Sequence, residues 1–472
     1  MNVLDIYTIS LGCPKNLVDT ENMLGSVKNF CRVVDSPEKA RIILINTCAF
    51  IQPAIEESLQ NILEMVEIVK ESSQNPLLVV TGCLVSRFGQ ELKREIPEVD
   101  IFLPIKYQFK LPEIVFRHFK IRLQKVETLK GTGERVMVGA YSNTPLPNAR
   151  YRCSSVPPGE SSNRKGKNTP DLSLHQTIAK ALDTRDIRGD SIKRLLTTPK
   201  SFAYLKISEG CNNKCSFCTI PSIRGRLKSR PLDQVMQEAK FILDQGAKEI
   251  ILVAQDSTAY GRDLGYKYGL RTLLDKLLSL SRLKWLRIMY LYPAGLSQSL
   301  LKFLAGCGEP FVPYFDLPLQ HAHPQILKSM GRPFARNPQE IIDRIRNYLP
   351  GAALRTTLIV GYPGETDKHF QTLCDFVERS CFHHLGVFPY YPEQGTKAAT
   401  LPYQIPDKEK KIRQDLIMRM QQKISARILA EYEGETIDVL VDRAHPEWPG
   451  LFVGRTWFQA PEIDGVTYIS GP

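Results

Sequence analysis

Between residues 200 and 390, six short runs rich in β-branched and aromatic residues recur with room for a helix after each, and that alternation leaves few folds open. The runs are 203–208 (AYLKIS), 248–253 (KEIILV), 285–290 (WLRIMY), 313–317 (PYFDL), 354–360 (LRTTLIV) and 385–390 (LGVFPY). Helical patterns lie between them, for example at 233–245 and 338–349. Strands that alternate with helices pair in parallel, and right-handed crossovers wind them into a βα barrel. Closure takes eight such units, so six predict a partial barrel.

The first 120 residues repeat the alternation on a smaller scale. Residues 3–9 (VLDIYTI), 41–45 (RIILI) and 77–81 (LLVVT) are β-rich, and QPAIEESLQNILEMVEIVK between them is helical in pattern. This predicts a parallel-sheet α/β sandwich over 1–120. Residues 121–198 turn rich in Pro, Ser, Asn and Lys and lose apolar periodicity, as a linker or insertion does. The barrel region then runs over 199–430. Its last helix, at 407–433, places Ile412, Leu416, Met420, Ile424 and Ile428 four apart on one predicted face. From 431 to 472, ETIDVLVDR and GLFVGRTWFQAPEIDGVTYISGP read as the opening strands of a small β-barrel without its later strands.

At 472 residues the chain suits two to four domains. No stretch approaches the roughly 18 consecutive apolar residues of a membrane helix. The N-terminus, MNVLDIYTISLGC, has neither a basic region nor a long apolar one, so the expectation is a cytoplasmic protein with no membrane partner. A formal charge of +12 suggests nucleic acid, yet residues 121–200 hold 15 Lys/Arg against 7 Asp/Glu and carry +8 of it. That stretch would reach nucleic acid through phosphates, in a salt-dependent way; a solvated linker is the commoner source of such a run.

Eleven cysteines without a leader favour metal or redox chemistry over disulfides. Cys211, Cys215 and Cys218 form a CxxxCxxC loop, ISEGCNNKCSFCTIPSIRG, directly after the first barrel run. Thiolates are the usual ligands of iron–sulfur clusters, and three for a cubane leave one iron open to an outside ligand. A structural zinc site closes its fourth position with a second Cys or His pair, and none is evident. His383 and His384 are adjacent and point to different faces, which disfavours a metal role. Cys13 (SLGCPKN), Cys48 (INTCAF) and Cys83 (VTGCLV) each follow a predicted strand, so a parallel sheet brings all three to one edge.

The CxxxCxxC loop and the βα count resemble the radical S-adenosylmethionine superfamily over about residues 200–430. The resemblance implies a 4Fe-4S cluster on Cys211, Cys215 and Cys218 whose open iron chelates S-adenosylmethionine, which is cleaved to a 5′-deoxyadenosyl radical. Candidate cofactor contacts stand where barrel sites form, after later strands: Gln255 and Asp256, Gln320 and His321, Gly361 and Glu365. The Cys13, Cys48 and Cys83 trio resembles the N-terminal domain of the methylthiotransferases, where it holds an auxiliary 4Fe-4S cluster that carries the sulfur. SLGCPKNLVDTE, LPLQHAHPQILKSMGRP, FPYYPEQGT and GRTWFQAPEIDG look like the branch acting on the β-carbon of an aspartate in ribosomal protein uS12, free or in the ribosome. The tRNA-modifying branch reads GCQMN at the first cysteine and lacks QAPEIDG. The C-terminal module is then a partial TRAM domain, and the reaction needs a sulfur donor and an electron donor. Two other readings stand beside it: a tRNA adenosine methylthiotransferase, and a non-catalytic RNA-binding iron–sulfur protein.

Overall fold

The computed structural model describes residues 3–119 and 194–471, apart from 333, 335 and 336. Most of the stretch read as a linker, with Cys153, lies outside the described residues.

Five strands build the N-terminal sheet: β1 (Leu4–Ser10), β2 (Cys31–Val33), β3 (Ile42–Thr47), β4 (Leu77–Gly82) and β5 (Ile101–Pro104). All pair in parallel in the order β2-β1-β3-β4-β5. The central strands β3 and β4 are buried at every position, hence their uninterrupted apolar runs. Helices α1 (Pro14–Val27), α2 (Gln52–Glu71), α3 (Cys83–Glu95) and α4 (Leu111–His118) cover the two faces. In this order the chain reverses direction across the sheet between β1 and β3, and open α/β sheets bind ligands at the carboxyl ends of strands beside such a point.

The barrel strands are β6 (Phe202–Lys206), β9 (Glu249–Val253), β10 (Trp285–Ile288), β11 (Phe311–Gln320), β12 (Ala353–Val360) and β13 (His384–Pro389). They form one parallel sheet in sequential order, as the six-unit partial barrel predicts. A short antiparallel ribbon, β7 (Ser208–Glu209) with β8 (Lys228–Ser229), pinches the base of the CxxxCxxC loop, which includes α5 (Ile220–Arg224). The crossovers carry α6 (Leu232–Asp244), α7 (Gly269–Leu278), α8 (Gln298–Ala305), α9 (Pro324–Ser329), α10 (Gln339–Tyr348) and α11 (Asp367–Ser380). Leu205, Ile250, Leu286, Phe315 and Leu354 pack outward against these helices. The opposite face carries Tyr204, Ile251, Val253 and Met289, against which α1 of the first domain lays Val18 and Leu17.

The closing helix α12 (Asp407–Ala430) packs through Arg413, Ile417, Gln421, Ile424 and Ile428, while Ile412 and Leu416 are exposed. The predicted stripe was therefore wrong over its first half. Residues four apart precess around a helix with 3.6 residues per turn, and the true face mixes steps of three and four.

Strands β14 (Val439–Ala444), β15 (Leu451–Thr456) and β16 (Thr467–Ser470) make an antiparallel sheet. The segment between β15 and β16, read as barrel strand, instead enters the inner side of the βα sheet. Trp457 O accepts from Arg287 (2.8 Å), Glu462 from the Tyr204 hydroxyl (3.1 Å), and Asp464 from the Tyr314 hydroxyl and Arg355 (2.7 Å each). His384, set aside as a metal ligand, bonds Phe458 O through Nε2 at 2.6 Å.

Its neighbour His383 is partly buried, and its Nδ1 accepts from the Leu354 amide at 3.3 Å. Burial, reinforced by His384 and Arg346, pushes the imidazole down from 6.5 to about 4. The folded state therefore favours the neutral ring, a contribution present above pH 6.5 and lost as pH falls from there towards 4. Between pH 7 and 5 the protein should lose about 2 kcal/mol more stability than a His383→Gln variant, read from denaturant midpoints. Parallel pH profiles for the two proteins would contradict this.

Candidate functional site

Cys13 lies three residues beyond β1 and heads α1, Cys48 follows β3 directly, and Cys83 follows β4 as the first residue of α3. The topology thus delivers the trio to the carboxyl edge of the sheet beside its switch point. Gly12 makes the approach possible. At φ +88°, a Cβ there would stand 2.7 Å from the Cys48 Cβ and 2.9 Å from its Sγ. The thiols are close enough to oppose one another's ionisation. Burial, with added repulsion from Cys83 and Cys13, pushes Cys48 up to about 12, and burial likewise raises Cys83. Burial also opposes ionisation of Cys13, but Lys15, Arg224 and the amides of Asn16 and Lys15 outweigh it and hold that thiol below its usual range.

The CxxxCxxC loop leaves the ribbon at Gly210, where φ is +74° and an added Cβ would run into Arg226 O, so no side chain fits. The Cys211 amide then donates to Gly225 O (3.1 Å), the Asn213 amide to Cys211 Sγ (3.4 Å), and the Cys218 amide to Cys215 O (3.2 Å). Arg332, from the turn after α9, donates to Cys215 Sγ at 3.2 Å. Ser216 fastens the loop from below through Met330 O and the Tyr362 hydroxyl. Burial, then repulsion from Cys215 and Cys211, raises Cys218 to about 12.

The six candidate cofactor contacts divide into two groups. Gln255 and Asp256 join the loop: Gln255 Nε2 donates to Glu209 (2.9 Å), and Asp256 accepts from Asn213 Nδ2 (2.9 Å) while capping the turn at Thr258. Gln320 adopts φ +75° and reaches only Pro318 O, at 3.4 Å. His321 and Glu365 are fully buried and meet at 3.3 Å. The other Glu365 oxygen accepts from the Gly361 amide (3.0 Å) and Arg413 (2.6 Å). Gly361 and Glu365 are thereby joined to α12 rather than to the cysteine loop.

Sequence reasoning missed the residues that join the two cysteine trios. Arg224, at the end of α5, reaches Cys83 Sγ (3.6 Å), Asn16 Oδ1, Asp19 (3.1 Å) and Glu209 (2.9 Å). Lys206 pairs with Asp19 and Glu209. Despite burial, Lys206 and Arg224 hold the Glu209 carboxyl well below the usual carboxylate range. Lys15 lies on the same seam, its Nζ 3.4 Å from Ala254 O and 3.3 Å from the centre of the Tyr290 ring. Lys15 and Arg224 sit inside motifs already singled out, SLGCPKN and TIPSIRG, but their partners across the seam lie about 200 residues away.

Among the described residues, no three His, Cys, Asp or Glu side chains have the spacing to hold a single metal ion. Each trio offers thiols only, the donor set of iron–sulfur clusters, in which each thiolate takes a different iron. The donor chemistry therefore fits such clusters.

Three family models match separate segments of the chain. Residues 5–104 match the uncharacterized protein family UPF0004, 205–377 the radical SAM superfamily, and 434–472 the TRAM domain. The ribosomal protein uS12 methylthiotransferase RimO of Oleidesulfovibrio alaskensis is 48% identical over 471 residues, covering 100% of this chain and 94% of the relative. The chain belongs to the uS12 methylthiotransferase family. The RimO of Lawsonia intracellularis is 45% identical over 99% of this chain and 92% of its own. Among solved structures, the radical S-adenosylmethionine methyltransferase TsrM of Kitasatospora setae, with cobalamin and a [4Fe-4S] cluster bound, superposes with a TM-score of 0.51. It is 14% identical and covers 84% of this chain and 74% of its own, a likeness of fold. No helix among the described residues of this methylthiotransferase is long and apolar enough to cross a membrane.

Proposed function

We propose that this chain inserts sulfur and a methyl group at the β-carbon of an aspartate in ribosomal protein uS12, with Cys211, Cys215 and Cys218 holding one 4Fe-4S cluster and Cys13, Cys48 and Cys83 the other. The observation that carries this reading is the single buried network, centred on Arg224, that joins two all-thiol sites in a chain of this family. When bound, the first cluster supplies the electron that cleaves S-adenosylmethionine to a radical, and the second holds the sulfur to be transferred.

The chain's own residues supply position and exclusion. Asn213 and Arg332 donate to thiols of the loop, and such donors stabilise thiolate ligands. Gln255 and Asp256 flank the loop and are assigned to the S-adenosylmethionine side. Gln320, His321, Gly361 and Glu365 belong to the opposite wall, where Arg413 fixes Glu365. Leu17 and Val18 close the seam between the domains with apolar surface, which keeps water from a radical. The division of labour follows as residues 1–120 for sulfur, 199–430 for the radical and 431–472 for the TRAM module, with 121–198 as a basic connector that contacts ribosomal RNA. Such a protein works in the cytoplasm and draws electrons and sulfur from separate donors.

The test is expression in cells lacking their own aspartate-modifying enzyme, followed by mass spectrometry of uS12 and of tRNA. The expected result is methylthiolated uS12 and unchanged tRNA. Modified tRNA beside unmodified uS12 would transfer the assignment to the tRNA branch.

A further inference from the structure

We infer that Lys15 is the residue that binds the carboxylate of the target aspartate and so fixes its β-carbon between the two cysteine trios. The inference rests on the uS12 reading above and adds the group that recognises the substrate.

Lys15 is 6% exposed and lies two residues from Cys13. Its Nζ has one carbonyl, Ala254 O, at 3.4 Å and the face of Tyr290 at 3.3 Å, and no ion pair among the described residues. The nearby carboxylates are already engaged. Glu209 is held by Arg224, Lys206 and Gln255, and Asp316 by the Tyr290 amide (3.0 Å) and Arg355 (3.6 Å). A buried cation without a carboxylate partner is costly; Lys15 has only the Cys13 sulfur as an anionic neighbour beyond the engaged carboxylates, and a ligand carboxylate supplies the pair it lacks. The interior cations Arg194, Arg224, Arg287, Arg355 and Arg413 all pair with carboxylates. Arg332 is the other exception, but it donates to Cys215 Sγ and serves the CxxxCxxC loop.

The location suits a substrate group. Ala254 directly follows β9 and Tyr290 lies just beyond β10, at the carboxyl ends of barrel strands where chemistry is done. Tyr290 is also held in the left-handed region, at φ +58°, a strained conformation for a bulky residue that clusters at ligand clamps. Asp316 accepts from its amide and the Ser257 amide donates to its carbonyl, so the backbone is fixed from both sides with the ring beneath Nζ. A carboxylate on Nζ places the adjoining β-carbon, one bond away, next to Cys13. An aspartate matches the charge; an asparagine of the same shape does not.

The experiment measures binding of two uS12 peptides, one with the target aspartate and one with asparagine in its place, to the anaerobic cluster-loaded chain and its Lys15→Met variant. The wild type should prefer the aspartate peptide about 10- to 100-fold, the range of a hydrogen bond between charged groups. Lys15→Met should bind the two alike, and its unchanged affinity for the asparagine peptide shows an intact pocket. Should that variant fail to fold, Lys15→Gln keeps a donor for Ala254 O and must lose the preference as well. A neutral variant that retains the full preference overturns the assignment of Lys15 while leaving the uS12 reading in place. A wild type that binds neither peptide and leaves uS12 unmodified in cells overturns both.

Discussion

Replacing Cys211, Cys215 and Cys218 with alanine should abolish reductive cleavage of S-adenosylmethionine, whereas the same replacement of Cys13, Cys48 and Cys83 should abolish methylthio transfer and leave cleavage measurable. The two variants should each retain about four of eight irons per chain, since each loses one cubane. The asymmetry follows from position. The first trio occupies a loop at the carboxyl end of β6, fastened to the barrel by Ser216 and Arg332. The second belongs to a separate sheet and meets that loop through Arg224 and Asn16. Cleavage is read as 5′-deoxyadenosine released with a chemical reductant, and transfer as the mass gain on uS12. Equal loss of cleavage in both variants would argue against separate roles for the trios.

The parts of the molecule that were legible beforehand are those with a repeating physical cause. β3 and β4 are buried on both faces, so their apolar runs mark them within two residues; β6, β9, β10 and β11 show themselves for the same reason, whereas β12 and β13 alternate buried with more exposed positions. Strands β2 and β5, of three and four residues, escaped because so short a run has no readable period. The cysteine trios were legible through strand ends, since a parallel sheet gathers its carboxyl ends on one edge. Arg224, Lys15 and Asp19 were not. A charged residue looks solvated until its partners are known, and Asp19 is 5% exposed only because Lys206 and Arg224 come from another domain. Asp464 was hidden likewise, in a segment read as strand.

Asp464→Ala should be strongly destabilising, at about 3–5 kcal/mol, because it breaks a buried ion pair from one side. The Asp464 side chain is fully buried and accepts from the Tyr314 hydroxyl (2.7 Å), Arg355 (2.7 Å) and the Ala460 amide (2.8 Å), with His384 Nδ1 at 3.4 Å. These partners come from β11, β12 and β13, so one carboxylate holds the connection between β15 and β16 against half of the barrel sheet. Without it, Arg355 keeps only Asp316, at 3.6 Å, and the Tyr314 hydroxyl loses its acceptor. Urea midpoints should fall accordingly, whereas Asp35→Ala, which removes an exposed pair with Lys39, should change stability by less than about 0.5 kcal/mol. A loss below about 1 kcal/mol at Asp464 would mean that the Trp457, Phe458 and Glu462 contacts hold the segment without it. The effect should also reach the substrate side. Arg355 bridges Asp464 to Asp316, and Asp316 fixes the Tyr290 backbone under Lys15, so loosening the C-terminal segment removes one support of the proposed aspartate clamp. In Asp464→Ala the preference for the aspartate peptide over the asparagine peptide should therefore shrink, though by less than in Lys15→Met, because the ammonium itself remains.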